Sequence, residues 1–299
     1  MKLSGVLPPI CTPFENGALA LDKLRENFDR WNGTGLSGFL VLGSNGEAVY
    51  LNEKERLAMV EVSRESIPSS KIMMVGTGME STQETIEFTN QVARMGGDCA
   101  LVVTPCYFKG SMKPQVLYDH FVSVADSSKI GILLYNVPQF TGVNLEPEWV
   151  AKLSQHPNII GIKDSSGNIG QLGEIIYLSK KGFAVFTGSA PVLFPALCVG
   201  AVGGVLAVAN AIPEICVQIY NLFREGKMDE ARALQNRMTP LAKAVTTQHG
   251  IAGLKIAMDI AGYFGGDPRP PLKKPGKDAE EELKRLSLEL QNAHLAGSS

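Results

Sequence analysis

The sequence predicts a TIM barrel, the (β/α)8 fold of the α/β class, followed by a C-terminal helical appendage. Eight short apolar segments recur between residues 6 and 208, and segments with helical periodicity separate them. Strands that alternate with helices form a parallel sheet, and eight such units close into a barrel. An open, doubly wound sheet is the alternative, but no Gly-x-Gly-x-x-Gly motif follows the first strand segment.

The elements follow one another in a regular order along the chain. The predicted strands are residues 6–12, 38–42, 72–76, 100–104, 130–135, 159–163, 184–187 and 204–208. The helical segments between them include residues 53–66, 82–95, 114–125 and 146–155. Asn52 marks one helix start, and Ser81 with Glu84 three residues later has the pattern of a capping box.

Beyond residue 211 the pattern is helical, with segments 213–224, 228–247, 254–263 and 279–294. A barrel needs only one helix after its last strand, so the additional helical segments predict a separate element. We therefore expect a barrel over residues 1–224 and a helical appendage, packed on that barrel, over residues 225–299.

Composition narrows the class of protein. The chain has 299 residues, 44% of them hydrophobic and 19% charged, with a net charge of -2, which is typical of a globular protein without a basic nucleic-acid-binding surface. No apolar run reaches the length of a membrane span. No signal peptide is visible at the N-terminus. We expect a cytoplasmic protein, with an organellar form that has lost its leader as the alternative.

The cysteines and histidines do not have the spacing of a metal site, so no metal is expected. Three of the five cysteines, Cys99, Cys198 and Cys216, lie in apolar surroundings. They are expected to be small core residues in a reducing compartment.

Lys163 ends an apolar, isoleucine-rich strand. Burying an unpaired ammonium group is costly, so such a lysine favours the neutral amine that can attack a carbonyl. The ordinary alternative is a lysine that extends its amino group to water. Active sites of parallel barrels lie at the C-terminal ends of the strands. The residues at the other strand ends therefore indicate whether Lys163 belongs to an active site or only extends to water.

Four other strand ends carry polar groups. The second is followed by Gly43-Ser44-Asn45-Gly46-Glu47, whose hydroxyl, amide and backbone N–H groups can hold a carboxylate, although an ordinary Asn-Gly turn is equally consistent. Tyr107 and Tyr135 follow the fourth and fifth strands, and Ser189 follows the seventh. One lysine, two tyrosines and several hydroxyls predict Schiff-base chemistry, in which a phenol moves protons.

These motifs resemble the dihydrodipicolinate synthase/N-acetylneuraminate lyase family over roughly residues 3–275. The matching segments are 43–47, 104–107, 135–138, 161–164 and 187–189. The resemblance implies a lyase without a cofactor, commonly a homotetramer or dimer, that forms a covalent Schiff base between Lys163 and pyruvate. It further implies that Tyr135 transfers protons and that Ser44 and Asn45 bind the pyruvate carboxylate. Tyr107 would reach across a subunit interface to complete a relay with Tyr135 and Ser44.

The aldehyde partner depends on finer resemblances. Phe140 stands where the synthases carry an arginine that binds the aldehyde's carboxylate, and residues 154–159 resemble 4-hydroxy-2-oxoglutarate aldolase. We therefore expect cleavage to pyruvate and glyoxylate. The alternatives are a dihydrodipicolinate synthase, an N-acetylneuraminate or 2-keto-3-deoxy sugar-acid lyase, and a 2-oxo acid sensor without turnover. The expected partners are small molecules only, not nucleic acid or membrane, and the expected substrate-binding set is Ser44, Asn45, Gly46, Phe140, Ser165, Gly188 and Ser189.

Overall fold

Eight parallel strands form the barrel in the computed structural model, which describes residues 3–296, with side chains as far as residue 290. They are β1 (Gly5–Leu7), β4 (Gly38–Val41), β5 (Ile72–Gly76), β6 (Cys99–Val103), β7 (Ile132–Asn136), β8 (Ile159–Asp164), β9 (Ala184–Thr187) and β10 (Gly203–Val205). Two further strands, β2 (Phe14–Glu15) and β3 (Ala18–Leu19), form an antiparallel hairpin that the sequence pattern did not predict.

Strand pairing closes the barrel. The hydrogen-bonded order is β1-β10-β9-β8-β7-β6-β5-β4, and every pair is parallel. A bridge between Pro9 and Leu40 joins the two ends, with the Ile10 N–H donating to the Leu40 carbonyl at 2.9 Å. The predicted (β/α)8 barrel is therefore confirmed.

Helices surround the barrel and extend the C-terminus. They are α1 (Leu21–Asn32), α2 (Glu53–Ser66), α3 (Thr82–Arg94), α4 (Pro114–Ser127), α5 (Pro138–Thr141), α6 (Pro147–Ser154), α7 (Ile169–Leu178), α8 (Leu193–Cys198), α9 (Pro213–Arg224), α10 (Met228–Lys243), α11 (Gly250–Ile260) and α12 (Lys277–Ala296). Among the described residues, no helix is both long enough and apolar enough to cross a membrane.

Helix caps differ slightly from the prediction. A full capping box joins Asn52 and Glu55, because each side chain accepts the other residue's backbone N–H. At Ser81 the structure records one half only: the serine hydroxyl accepts from the Glu84 N–H at 3.1 Å. Both contacts begin a helix where the sequence predicts one.

Several element ends differ from the prediction for local reasons. The first strand ends at Leu7 rather than at residue 12 because Pro8 and Pro9 have no N–H to donate to a neighbouring strand. The predicted strand 204–208 stops at Val205, and Ala207–Asn210 forms a 3-10 turn instead. The predicted helix 228–247 ends at Lys243 and continues as a π-helical turn, Ala244–Gln248, which leads into α11.

The apolar core runs from the barrel into the C-terminal helices. Phe39 of β4, Met238 of α10 and Leu254 of α11 belong to one continuous cluster of buried side chains. The division at residue 224 stays a prediction. Cys99 and Cys216 are buried as expected, but Cys198 is exposed, because it ends α8 at the surface, so the prediction for Cys198 was wrong.

Candidate active site

Lys163 lies near the C-terminal end of β8, between the strands that carry Tyr135 and Phe186. Its side chain is 2% exposed, and its Nζ lies 4.3 Å from the centroid of the Tyr135 ring. Within the described part of the chain, that amino group has neither a hydrogen bond nor an ion pair. The recorded contact of this amino group is therefore with an aromatic ring and not with a carboxylate or a carbonyl.

A second buried lysine, Lys255 of α11, has the opposite environment. Its Nζ lies 2.6 Å from a Glu47 carboxylate oxygen and donates to the carbonyls of Thr12 and Asp267, both at 2.8 Å. Two hydrogen bonds and one ion pair therefore hold this ammonium group in place. Lys163 differs from Lys255 in that no described residue forms a hydrogen bond or ion pair with its amino group.

The Ser44–Gly46 segment forms a 3-10 turn directly after β4. The Ser44 hydroxyl lies 3.4 Å from the Tyr135 hydroxyl, so the two can pass a proton between them. Thr12 Oγ1 donates to the Gly46 carbonyl at 2.5 Å and fixes the far end of the turn. Gly46 itself is buried in the turn and does not line the main cavity.

A cavity of ≈ 370 Å³ opens above Lys163 at the C-terminal end of the barrel. Its lining includes most of the residues predicted from the sequence: Asn45, Tyr135, Phe140, Lys163, Ser165, Gly188 and Ser189. Ser44 lines a smaller neighbouring cavity of ≈ 100 Å³, and Tyr135 lines both cavities. The structure therefore brings these residues together around Lys163, and their role in substrate binding stays a prediction.

Gly188 allows the chain after β9 to pass close to the lysine. A Cβ atom at this position would overlap the Ser165 hydroxyl and lie 2.9 Å from Lys163 Cε. The Gly188 N–H donates to the Asp164 carbonyl at 2.6 Å, which holds the two strand ends together. Glycine is needed here for space beside Ser165 and Lys163.

Asp164, the residue after Lys163, helps to hold the end of β8 in place, a role that the sequence analysis did not predict. Its carboxylate is 2% exposed and accepts from the Ser166 N–H at 2.6 Å and from Gln171 Nε2 at 2.9 Å. The Gln171 amide also contacts Asn144. Side chains of two neighbouring loops therefore lock the strand end that carries Lys163 and Ser165.

The far wall of the cavity comes from the C-terminal helices. The wall residues are those of the π-helical turn and the start of α11: Val245, Thr246, Thr247, Gly250 and Ile251. The prediction treated this region as a packed appendage without a site. Only the two adjacent threonines offered a polar signal, and nothing in the local pattern placed them above the barrel.

Tyr107 does not reach the cavity of its own chain. Its side chain is 80% exposed and packs edge-on against Phe108, with ring centroids 5.0 Å apart. The Glu80 carboxylate accepts the Tyr107 N–H at 2.9 Å, so the loop is anchored while the phenol points outward. Within one chain, Tyr107 does not join the Ser44 and Tyr135 hydroxyls, and its predicted role at a subunit interface stays a prediction.

Comparison with known proteins identifies the family of the chain. The model of the dihydrodipicolinate synthetase family matches residues 2–289. The chain belongs to this family. Its members are lyases of the aldolase type, so the chain is a pyruvate-dependent enzyme rather than a sensor without turnover.

Named relatives cover nearly the whole chain. It is 38% identical over 282 residues to a 4-hydroxy-tetrahydrodipicolinate synthase of Methanothrix thermoacetophila, covering 94% of each chain. It is 36% identical over 266 residues to a probable mitochondrial 4-hydroxy-2-oxoglutarate aldolase of Emericella nidulans, covering 86% of each. The crystal structure of a dihydrodipicolinate synthase from Thermotoga maritima superposes with a TM-score of 0.93 at 29% identity, covering 97% of this chain and 99% of that one.

Proposed function

We propose that this family member is a class I aldolase that uses Lys163 as its Schiff-base nucleophile and needs no cofactor. The observation that supports this most directly is a buried amine without a polar partner, in a cavity and against the Tyr135 ring. A neutral amine in such a site can condense with the ketone of a 2-oxo acid and lose water to form an iminium.

The proposed cleavage then follows from the neighbouring groups. Ser44, Asn45 and the backbone N–H groups of their turn hold the substrate carboxylate. Tyr135, relayed through Ser44, takes the proton of the C4 hydroxyl. The C3–C4 bond breaks, its electron pair moves into the iminium to give an enamine, and an aldehyde leaves. Protonation of the enamine carbon and hydrolysis of the iminium release pyruvate and free Lys163.

We propose 4-hydroxy-2-oxoglutarate as the substrate, with glyoxylate as the released aldehyde. Phe140 is 71% exposed at the cavity and cannot pair with a carboxylate through its ring. Gly250 and Ile251, at the start of α11, line the opposite wall. Because the first N–H groups of a helix have no intrahelical acceptor, they favour a negative charge. A short second carboxylate, such as that of glyoxylate, suits that wall.

A synthase that condenses pyruvate with aspartate semialdehyde is the second candidate. The name of the Methanothrix relative favours it. Against it, Lys163 is the sole lysine or arginine among the described residues that line the main cavity, so an arginine–carboxylate contact has no counterpart there.

We also propose that the enzyme assembles into a homo-oligomer in a reducing compartment such as the cytoplasm. Tyr107 and Phe108 are both exposed aromatic side chains beside the barrel mouth, and exposed aromatic groups are enriched where subunits meet. All five cysteines are free thiols, as is usual in reducing compartments.

The deciding experiment measures pyruvate release from 4-hydroxy-2-oxoglutarate with coupled lactate dehydrogenase, and labelling of the protein by pyruvate and borohydride. Lys163→Ala should lose both signals while the barrel stays folded. Lys54→Ala, which removes an exposed lysine of α2, is the matched control and should keep both. Tyr135→Phe should keep the label but slow cleavage by about 10²–10⁴-fold, the usual contribution of a positioned proton-transfer group.

Near-normal turnover or labelling by Lys163→Ala would rule out the proposed nucleophile. Labelling without cleavage of 4-hydroxy-2-oxoglutarate would support the Schiff base but show that the proposed aldehyde is wrong. Product formation from pyruvate and aspartate semialdehyde would then identify the synthase, and cleavage of N-acetylneuraminate or a 2-keto-3-deoxy sugar acid would identify a sugar-acid lyase.

A further inference from the structure

Glu47, directly after the Ser44–Gly46 turn, has an unusual combination of backbone and burial. Its backbone is left-handed, with φ 53° and ψ 31°, and its side chain is 1% exposed. Residues with a Cβ rarely adopt this conformation, because the Cβ crowds the neighbouring carbonyl. Contacts from elsewhere in the chain must therefore hold Glu47, and with it the end of the turn.

The Glu47 carboxylate is held from two sides. One oxygen forms the 2.6 Å ion pair with Lys255, and the other accepts the Arg269 N–H at 2.7 Å. Lys255 in turn binds the carbonyls of Thr12 and Asp267. One buried pair thus joins the turn after β4 to the segment after β1, to α11 and to the loop that follows α11.

Stability alone is a poor explanation for this pair. Removing two charges from water costs about as much as their attraction returns, and apolar side chains of similar size often serve as well. The same C-terminal loop is also anchored independently, because the Arg269 guanidinium binds both oxygens of Glu55 at 2.7 Å. The buried pair can instead fix the position of the turn, because an ion pair is directional and an apolar contact is not.

That geometry reaches both ends of the candidate site. Thr12, whose carbonyl accepts from Lys255, donates its hydroxyl to the Gly46 carbonyl within the turn. At the other end of this turn, the Ser44 hydroxyl faces the hydroxyl of Tyr135. Ile251, one helical turn before Lys255 on α11, lines the far wall of the cavity. The pair therefore links the turn to that wall.

We propose that Glu47 and Lys255 are positioning residues, whose buried ion pair sets the Ser44–Gly46 turn for the carboxylate of the 2-oxo acid. This inference rests on the proposed function, in which that turn binds the carboxylate. Neither residue lines the main cavity or touches a reacting atom. Loss of the pair should therefore weaken 2-oxo acid binding and leave the chemistry of Lys163 intact.

The test titrates pyruvate against borohydride labelling in Glu47→Gln and in the double variant Glu47→Gln/Lys255→Met. Glutamine keeps the size of the side chain and an oxygen for the Arg269 N–H, but it loses the charge. We expect the half-saturating pyruvate concentration to rise about tenfold or more, with full labelling at saturation. KM for the 2-oxo acid should rise more than kcat falls. The double variant leaves no unpaired buried charge, so it should regain thermal stability without regaining affinity.

Glu55→Gln is the matched control, since it breaks the neighbouring ion pair to the same loop and leaves the buried pair intact. Its half-saturating pyruvate concentration should stay within twofold of wild type.

If Glu47→Gln does not fold, the double variant alone is decisive. If a variant that lacks the ion pair folds and binds pyruvate as tightly as wild type, the positioning role is wrong. Wild-type protein that takes no label would instead remove the proposed function, and this inference with it.

Discussion

Gly188 shows how little free space surrounds Lys163. An added methyl group would meet Ser165 and Lys163 Cε, and the backbone at this position is not left-handed, so alanine is excluded by the site rather than by its own conformation. We expect Gly188→Ala to lower kcat/KM by about 10²-fold, the cost of misplacing a catalytic group by about 1 Å. Overpacking should cost about 1–3 kcal/mol of stability.

Steady-state kinetics and thermal unfolding together check this prediction. Gly276→Ala is the control, because a Cβ there meets no atom within 4 Å and Gly276 lines neither cavity at the candidate site. If Gly188→Ala kept wild-type kinetics, the close packing around Lys163 would have no catalytic importance.

Single residues differ in how far sequence could place them. Lys163 and Tyr135 were placed in the cavity from their positions at strand ends, because a parallel barrel brings those ends together. Tyr107 also follows a strand, but its side chain turns outward, and strand position alone does not determine that direction. Glu47 and Lys255 are far apart in sequence, and no local pattern pairs a turn glutamate with a helix lysine.

At the scale of elements, α3 and α4 meet at a buried histidine. His120 of α4 contacts the Thr82 hydroxyl of α3 through Nδ1 at 2.9 Å. Burial lowers the pKa of His120 to about 4, although the nearby Glu80 acts in the opposite direction. The folded protein therefore binds this proton less readily than the unfolded chain, whose histidine has a pKa near 6.5.

The sign of the pH dependence follows. The contribution of His120 is fully present above pH 6.5 and is lost as pH falls toward 4, because only the unfolded chain then gains the proton. Between pH 7 and pH 5 we expect a loss of about 2 kcal/mol from this group. Urea unfolding at both pH values should show that loss in wild type and a smaller one in His120→Gln. Equal losses in the two proteins would mean that His120 does not control this pH dependence.

The ends of strands and helices could be predicted from the sequence where nearby residues determine them. The strand at Ile72–Gly76 and the helices Glu53–Ser66 and Pro213–Arg224 have the predicted ends. The π-helical turn at Ala244–Gln248 was missed, because it continues the periodicity of α10 with a small change in winding. That change places the threonines of the turn on the cavity wall.

For the whole molecule, the exposed Tyr107 makes a prediction about assembly. If a neighbouring subunit supplies this phenol, Tyr107→Phe and Lys163→Ala damage different parts of one shared site. Mixing the two variants after dissociation should restore activity, because a hybrid pair contains one site with both groups intact. Random pairing in equal amounts would restore about one site in four.

Activity assays before and after mixing, with sedimentation to measure the oligomer, check this prediction. Wild type that is dissociated and reassembled alone is the control for recovery of activity. A hybrid oligomer that gains no activity would show that Tyr107 does not act on a neighbouring Lys163.

The order of strands in the barrel also has a consequence for synthesis. The Gly5 N–H bonds to the Val202 carbonyl, and the Leu206 N–H bonds to the Leu7 carbonyl, so the first strand pairs with the last. At ~5–20 residues per second, a ribosome needs roughly 10–40 s to make the chain between them. During that interval one apolar edge of β1 has no partner, and such edges promote aggregation. We therefore expect the nascent chain to be prone to aggregation until β10 emerges and pairs with β1.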